Sequence, residues 1–219
     1  MKNLKCVIFD VDGTITQTNE LIFAAFNHVT DKYTGKTYLP AEITSMFGPP
    51  EEGTLEKVVG NQNIVAALED FLEFYRSNHS ALARIYPGIL EILEYLKQRN
   101  VLMAVFTGKG RHSTLITLSE FGIKKYFDII VTGNDVTNHK PSGEGITKIL
   151  NYFGLSVENV LMVGDAVADI IASREAGVPV AAVVWDSYGK DRVLKMEVNY
   201  LFDDVKKLKE FLIESIQLS

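Results

Sequence analysis

Apolar residues along the chain fall into five short runs in which polar and apolar positions do not alternate. The runs are rich in Val and Ile and comprise residues 6–9, 101–106, 129–131, 160–163 and 180–184. Strands of this kind are buried on both faces, as in a parallel sheet covered by helices. From the second run onward, they alternate with helical periodicity, as at Ile146, Ile149 and Phe153 before Gly154, a predicted C-cap. The pattern predicts an α/β fold with a doubly wound parallel sheet, closed by a strand at residues 198–201.

The first run differs from the others because nothing strand-like returns before residue 101. Residues 17–84 instead show helical stripes on either side of a Gly/Pro break at Phe47-Gly48-Pro49-Pro50. A helical insert of this length after a first strand predicts a separate small domain. We therefore expect an α/β core at residues 1–16 and 85–219 and a small α-helical domain at residues 17–84.

Composition and charge limit the partners and the cellular compartment that we expect for the protein. The chain has 22 Lys+Arg and 28 Asp+Glu, a net charge of −6, and no basic stripe, so nucleic acid is not an expected partner. The single cysteine, Cys6, excludes an internal disulfide and favours a reducing compartment. The apolar runs are shorter than the ~20 residues of a membrane span, and the start lacks a signal-peptide pattern. We expect a cytoplasmic protein without a membrane partner; the oligomeric state does not follow from the sequence.

Polar side chains follow the predicted strands, and the carboxyl ends of parallel strands converge on one crevice. Four carboxylates, a hydroxyl and a lysine are expected there: Asp10, Asp12, Asp165, Asp169, Thr107 and Lys140. Two like charges about 4 Å apart repel by roughly 4 kcal/mol at an effective dielectric of 20, so the cluster requires a cation. Oxygen ligands without His or Cys favour a hard ion, and Mg²⁺ typically combines one or two carboxylates with waters and a substrate phosphate.

Four segments resemble the four motifs of the haloacid dehalogenase superfamily, in order and on the expected elements. They are Asp10-Val11-Asp12-Gly13-Thr14, Thr107-Gly108, Lys140-Pro141, and Gly164-Asp165 with Asp169. The helical insert between the first two is similar to the cap domain of the C1-cap phosphatases, of the phosphoglycolate phosphatase and β-phosphoglucomutase group. The resemblance implies a Mg²⁺-dependent phosphatase that acts through an aspartyl-phosphate. Its substrate would be a small phosphorylated metabolite, such as a phosphoglycolate-like ester, a sugar phosphate or a nucleotide, or else pyrophosphate.

The resemblance also implies a role for each matching residue. Asp10 would attack phosphorus, and Asp12 would protonate the leaving oxygen and then activate water. Thr107 and the Gly108 amide would bind the phosphoryl oxygens, and Lys140 would offset their charge. The implied Mg²⁺ ligands are Asp10, the backbone carbonyl of Asp12, and Asp165, with Asp169 in support.

Two alternatives to a phosphatase stay open at this stage. A phosphomutase of the β-phosphoglucomutase type would share the site, although Thr14 weakly favours a phosphatase. A receiver module that only accepts phosphate would share the acidic residues and the Lys140-Pro141 pair, but it would have no use for Asp12. The chain departs from the common family pattern at Gln17-Thr18 and at Ser142-Gly143, and these departures bear on the choice of substrate more than on the reaction.

Two local features have competing interpretations, and the orientation of a third set of residues is open. The segment from Phe47 to Glu51 either joins two helices of the cap or lies over the crevice and selects the leaving group. Gly164-Asp165 on its own could be an N-cap, whereas the i, i+4 spacing of Asp165 and Asp169 predicts that both carboxylates share one face. Five cationic residues of the insert cannot be oriented from the sequence: Lys32, Lys36, Lys57, Arg76 and Arg84.

Overall fold

A single parallel sheet forms the centre of the computed structural model, which describes residues 3–217. Six strands pair in parallel in the order β5-β4-β1-β6-β7-β8. Their bounds are β1 Cys6–Phe9, β4 Leu102–Phe106, β5 Ile129–Val131, β6 Val160–Gly164, β7 Val180–Val183 and β8 Tyr200–Phe202. The predicted doubly wound parallel sheet is confirmed.

Both faces of the sheet are buried because alternate residues of each strand enter different apolar clusters. In β1, Val7 and Phe9 belong to one cluster, while Cys6 and Ile8 belong to the other. The first cluster includes residues of α5 and α10, and the second includes residues of α7 and α8. The helices of the α/β part are α5 Ile89–Gln98, α6 Arg111–Glu120, α7 Glu144–Phe153, α8 Val167–Ala176, α9 Lys190–Val193 and α10 Val205–Gln217. The predicted C-cap Gly154 is confirmed, since it ends α7 at a φ of 63°.

Strand β1 lies at the point where the strand order reverses. It pairs with β4 on one side and with β6 on the other, so the chain builds outward from β1 in both directions. Such a switch point leaves a crevice beyond the carboxyl ends of the strands, where loops turn to opposite faces. The residues that follow β1, β4 and β6 therefore share one crevice.

The segment between β1 and β4 is mostly helical and has an apolar cluster of its own. Before α5, its helices are α1 Asn19–Thr34, α2 Pro40–Ser45, α3 Glu51–Val59 and α4 Ile64–Leu82, and these four form the helical segment. Leu21, Phe26, Leu55 and Phe71 pack within this cluster, which also takes in Ile116 of α6. The helical segment therefore buries its own apolar face and also contacts the sheet-bearing part.

The structure corrects several details of the sequence interpretation. Strand-like structure does occur between residues 9 and 101, because β2 Thr16–Gln17 pairs antiparallel with β3 Arg84–Ile85. The closing strand spans Tyr200–Phe202 and not residues 198–201. Other strand ends shift by one residue, where the pairing partner and not the apolar run sets the limit. Within the described residues, no helix is both long and apolar enough to cross a membrane.

Candidate active site

Three carboxylates meet in the crevice at the carboxyl edge of the sheet. Asp10 directly follows β1, Asp165 directly follows β6, and Asp169 lies in the first turn of α8. Each offers an oxygen atom, and these atoms all lie within 4.8 Å of one another. The expectation that distant acidic residues converge at this edge is confirmed for these three.

The loop after β1 is shaped to admit Asp165. Gly13 has a φ of +79°, and a Cβ atom there would lie 2.5 Å from Asp165 Oδ2. Only glycine combines this backbone conformation with the free space that the carboxylate needs. The Thr14 hydroxyl donates to Asp165 Oδ1 at 3.1 Å, which fixes the rotamer of the carboxylate.

The first turn of α8 holds Asp169 near Asp165, but the two residues do not lie in the same helix as the sequence suggested. The N-cap is Ala166, so Asp165 lies before the helix, and both the N-cap interpretation and the shared-face argument are wrong. Asp169 Oδ2 accepts the Ala166 N–H at 3.0 Å, as the acidic side chain of an N-terminal turn commonly does. The two carboxylates meet because the helix begins beside the end of β6.

Lys140 links two of the three carboxylates. Its Nζ donates to Asp10 Oδ1 at 2.8 Å, to Asp169 Oδ1 at 2.5 Å and to the Phe106 carbonyl at 2.7 Å. These three acceptors account for the three protons of the ammonium group. Lys140 is buried, so its charge is weakly screened by water.

The charges of the cluster do not balance within the protein. Burial and the neighbouring carboxylates raise the pKa of Asp10 to about 7, against a lowering by Lys140. Burial, Asp10 and Asp169 raise the pKa of Asp165 well above its usual range. Burial lowers the pKa of the Lys140 ammonium, but attraction to Asp10 and Asp169 outweighs this and leaves the pKa raised. When all three carboxylates are ionised, they face one ammonium group and leave two negative charges in excess, which suits a divalent cation with hard oxygen ligands.

The Asp12 carboxylate points to partners outside this cluster. It accepts from the Thr18 hydroxyl, and its Oδ2 lies 3.3 Å from Lys109 Nζ. The Asp12 carboxylate is therefore not among the three grouped carboxylates, and the role of its backbone carbonyl as a metal ligand stays a prediction. Thr18, which belongs to one of the two segments that depart from the common family pattern, contacts this candidate acid.

Thr107 and Gly108 lie where the sequence predicted, at the end of β4. Thr107 is buried, and its backbone N–H donates to the Val131 carbonyl at 3.1 Å, so the amide is already used within the sheet. The Thr107 hydroxyl oxygen accepts the Lys109 N–H at 3.2 Å and keeps its own proton free to donate. Of the two predicted phosphate-binding residues, Thr107 can thus contribute its hydroxyl but not its amide.

Lys109 is a site residue that the sequence analysis missed. Its side chain is only 3% exposed, and its Nζ lies 4.5 Å from the centre of the Tyr75 ring as well as beside Asp12. Burial lowers its pKa, but Asp12, Tyr75 and Glu51 together outweigh burial and raise it. The sequence feature that could have identified Lys109 as a site residue is its position two residues after Thr107, beyond the carboxyl end of a predicted strand.

The segment from Phe47 to Glu51 lies against the core and also joins α2 to α3. A Cβ atom on Gly108 would lie 3.7 Å from the Gly48 carbonyl oxygen, and one on Gly133 would lie 2.7 Å from Pro50 Cγ. Glu51 accepts the Gly110 N–H at 2.6 Å. Both descriptions of the segment are therefore geometrically correct, and its role in selecting a leaving group stays a prediction.

The cationic residues of the helical segment do not supply a buried charge. All five are exposed, and Lys32 pairs with Asp70 at the surface. Among residues 3–217, the buried lysines are instead Lys109 and Lys140, and both come from the α/β part.

A doubly wound sheet with a carboxylate and lysine centre at its switch point defines the chain as an α/β enzyme. Residues 7–183 match the haloacid dehalogenase-like hydrolases, and the chain belongs to this family. The resemblance drawn from the four motifs is thereby confirmed. Membership of a hydrolase family sets aside the alternative of a passive receiver module.

Relatives of similar length match this chain over most of its length. The pyrophosphatase PpaX of Oceanobacillus iheyensis is 31% identical over 206 residues, which cover 94% of this chain and 95% of that protein. The pyrophosphatase PpaX of Bacillus pumilus is 31% identical over 213 residues, covering 95% of each.

Solved structures agree on the fold. A predicted phosphoglycolate phosphatase from Haemophilus somnus superposes with a TM-score of 0.83 at 21% identity, covering 97% of this chain and 99% of that one. CbbY from Rhodobacter sphaeroides, in complex with phosphate, superposes with a TM-score of 0.80 at 20% identity, covering 94% and 96%. At these identities the similarity shows a common fold.

Proposed function

We propose that this protein is a Mg²⁺-dependent phosphatase that hydrolyses a small phosphomonoester or pyrophosphate through an aspartyl-phosphate on Asp10. The observation that carries the proposal is the position of Asp10, buried at a strand end, 2.8 Å from Lys140 Nζ and grouped with two further carboxylates. A carboxylate nucleophile needs such an electropositive neighbour both to be held in place and to approach an anionic phosphoryl group.

The proposed reaction proceeds in two balanced steps. In the first, an Asp10 carboxylate oxygen bonds to phosphorus while the bond from phosphorus to the leaving oxygen breaks, and Asp12 gives its proton to that oxygen. In the second, water attacks phosphorus and loses a proton to Asp12 while the bond to Asp10 breaks, which releases phosphate and restores both carboxylates. Thr107 donates its hydroxyl proton to a phosphoryl oxygen, and Lys140 holds Asp10 in place.

The residues present fit a bound Mg²⁺. Asp10, Asp165 and the Asp12 backbone carbonyl would hold it, with Asp169 in support through its ion pair with Lys140. When bound, Mg²⁺ supplies positive charge that offsets repulsion between the carboxylates and an incoming phosphate.

We further propose that the helical segment, residues 17–84, is a cap domain on a core formed by residues 1–16 and 85–219. The pairing of β2 with β3 supports this division, because both connections of the segment pass through that two-stranded ribbon. The helical segment contacts the crevice loops through Gly48, Pro50 and Glu51. A cap in this place excludes water during phosphoryl transfer and opens for release of the product.

The pyrophosphatase relatives support pyrophosphate as a candidate substrate. The fold similarity to a predicted phosphoglycolate phosphatase is compatible with a phosphomonoester substrate. A phosphomutase would use the same nucleophile but return the phosphoryl group to a second hydroxyl. Release of inorganic phosphate into water, measured with pyrophosphate and with a panel of phosphometabolites, separates the two activities.

The direct test is Asp10→Asn, which keeps the shape of the side chain and removes the nucleophile. We expect phosphate release to fall at least about 100-fold, because the covalent step has no substitute in the site. Asp31→Asn, an exposed position on α1, is the matched control and should retain wild-type turnover. Turnover of a folded Asp10→Asn protein above a few per cent of wild type would refute the nucleophile assignment.

A further inference from the structure

A second buried ammonium group lies beside the site and contacts a different carboxylate from those that Lys140 contacts. Lys140 contacts Asp10, the proposed nucleophile, whereas Lys109 Nζ lies 3.3 Å from Asp12, the proposed acid. The acid must reach the leaving oxygen, so a cation beside it lies on the leaving-group side of the reacting phosphorus. Lys140 would therefore lie near the transferred phosphoryl group of a substrate, and Lys109 near its leaving group.

A carboxylate from the helical segment already occupies the space beside Lys109. Glu51 Oε2 accepts the Gly110 N–H at 2.6 Å, and Glu51 Oε1 accepts the Ser113 hydroxyl at 2.5 Å and lies 3.9 Å from Lys109 Nζ. Its two oxygens are thus held by three donors of the core. A Cβ atom on Gly110 would collide with this carboxylate, so the backbone there is open to an oxyanion.

The anion and its donors belong to different parts of the molecule. Glu51 is the first residue of α3 in the helical segment, while Lys109, Gly110 and Ser113 lie at the end of β4 and the start of α6. Movement of the helical segment away from the core would withdraw Glu51 and leave three donors, one of them a buried cation, facing the crevice. A buried cation without an anion is costly, so another oxyanion would be favoured in that place.

We propose that Lys109, the Gly110 N–H and Ser113 bind an oxyanion carried by the leaving group, and that Glu51 is the internal anion which this group displaces. The proposal rests on the proposed function and defines its substrate class more closely. Preferred substrates carry a second anionic group, a phosphate or a carboxylate, next to the scissile bond; esters with uncharged leaving groups are poor substrates.

The first test compares pyrophosphate with p-nitrophenyl phosphate, whose leaving group carries no second oxyanion. For Lys109→Met, kcat/KM for pyrophosphate should fall at least 10-fold more than kcat/KM for p-nitrophenyl phosphate, because a charge-assisted contact is lost with one substrate alone. Ser113→Ala, which leaves the Lys109 contact with Asp12 in place, should shift the same ratio by about 3-fold. Equal losses on the two substrates in both variants would overturn the proposal.

The second test removes the charge of the competing carboxylate. Glu51→Gln should lower KM for pyrophosphate about 3-fold or more, because the substrate no longer displaces a charged group. Glu52→Gln is the matched control: it is the next residue of α3, its carboxylate lies 3.4 Å from the Asn134 amide nitrogen, and its KM should equal that of wild type. A Glu51→Gln protein with unchanged or raised KM would contradict the displacement.

A binding measurement separates this proposal from the proposed function. Methylenediphosphonate, a pyrophosphate analogue that cannot be hydrolysed, should bind Glu51→Gln more tightly than wild type and Lys109→Met at least 10-fold more weakly in calorimetric titration with Mg²⁺. This ordering would hold even if wild type released no phosphate, in which case the proposed function fails alone. Equal affinity of all three proteins would refute the oxyanion site whatever the turnover. Repeating the kinetic comparison with 2-phosphoglycolate shows whether a carboxylate also serves as the second anion.

Discussion

At the scale of single residues, the carboxylate cluster depends on Lys140 for charge compensation. The Lys140 side chain is 7% exposed, and its ammonium group contacts both Asp10 and Asp169; within the described residues, neither carboxylate forms an ion pair with another cation. Removal of one partner from a buried ion pair costs about 3–5 kcal/mol, because the remaining charges stay desolvated. Lys140 therefore contributes to the stability of the fold as well as to the proposed chemistry.

We expect Lys140→Met, measured without metal at pH 8, to lower the free energy of unfolding by roughly 3 kcal/mol in urea denaturation. The pH matters because protonation of Asp10 would relieve the repulsion at lower pH. Lys148→Met is the control, since Lys148 pairs with Glu144 at the surface and its removal should cost less than about 1 kcal/mol. If both variants lost the same stability, the buried cluster would not depend on Lys140.

At the scale of elements, α7 packs on the sheet through a glycine. A Cβ atom on Gly145 would overlap the Phe106 ring of β4. In an exposed helix, Gly→Ala stabilises by about 1 kcal/mol, but overpacking a closed core costs roughly 1–3 kcal/mol. Because Phe106 also accepts from Lys140 through its carbonyl oxygen, this contact lies directly beneath the site.

Gly145→Ala should therefore destabilise the protein by about 1–2 kcal/mol in thermal or urea unfolding, although alanine has the higher helix propensity. Gly189→Ala serves as a comparison because its Cβ would meet only an ordinary contact, 3.7 Å from Ser187 Oγ. That variant should change stability by no more than about 0.5 kcal/mol. A stabilised Gly145→Ala protein would show that α7 can move away from β4 without cost.

The elements also show which parts of the fold a sequence can specify. The buried strands were predictable because apolar runs without alternation record burial on both faces. The two-residue strands β2 and β3 carry no such pattern; they pair only because the chain returns to Thr16 after the helical segment. Strand ends such as that of β8 depend on the neighbouring strand and shift for the same reason.

The same distinction applies to the site. Asp10, Asp165 and Lys140 were predictable because each follows a strand, and strand ends of a parallel sheet meet at one edge. Glu51 was not, because its contact with Gly110 joins residues 59 positions apart and depends on how the helical segment lies on the core. Lys109 was visible at a strand end, but its burial against Tyr75 again comes from the helical segment.

At the scale of the whole molecule, the carboxylate cluster links stability to pH and, through the proposed Mg²⁺, to metal. The pKa of Asp10 is about 7 in the folded protein and near 3.8 when unperturbed, and that of Asp165 is raised in the same direction. Between about pH 4 and pH 7 the folded state thus binds more protons than the unfolded state, so the free energy of unfolding falls as pH rises through this window. The raised pKa of Lys140 acts only above its usual value of 10.5, outside the window.

Thermal unfolding in the presence of EDTA should accordingly show a lower Tm at pH 7.5 than at pH 5. The proposed Mg²⁺ would bind the ionised carboxylates in the folded state alone, so it should raise Tm more at pH 7.5 than at pH 5 and reduce the difference between the two Tm values. Asp10→Asn should weaken both effects, because it removes one titrating group and one ligand of the cluster together. A Tm that rises with pH in EDTA, or that ignores Mg²⁺ at pH 7.5, would contradict a buried carboxylate centre built to hold a divalent cation.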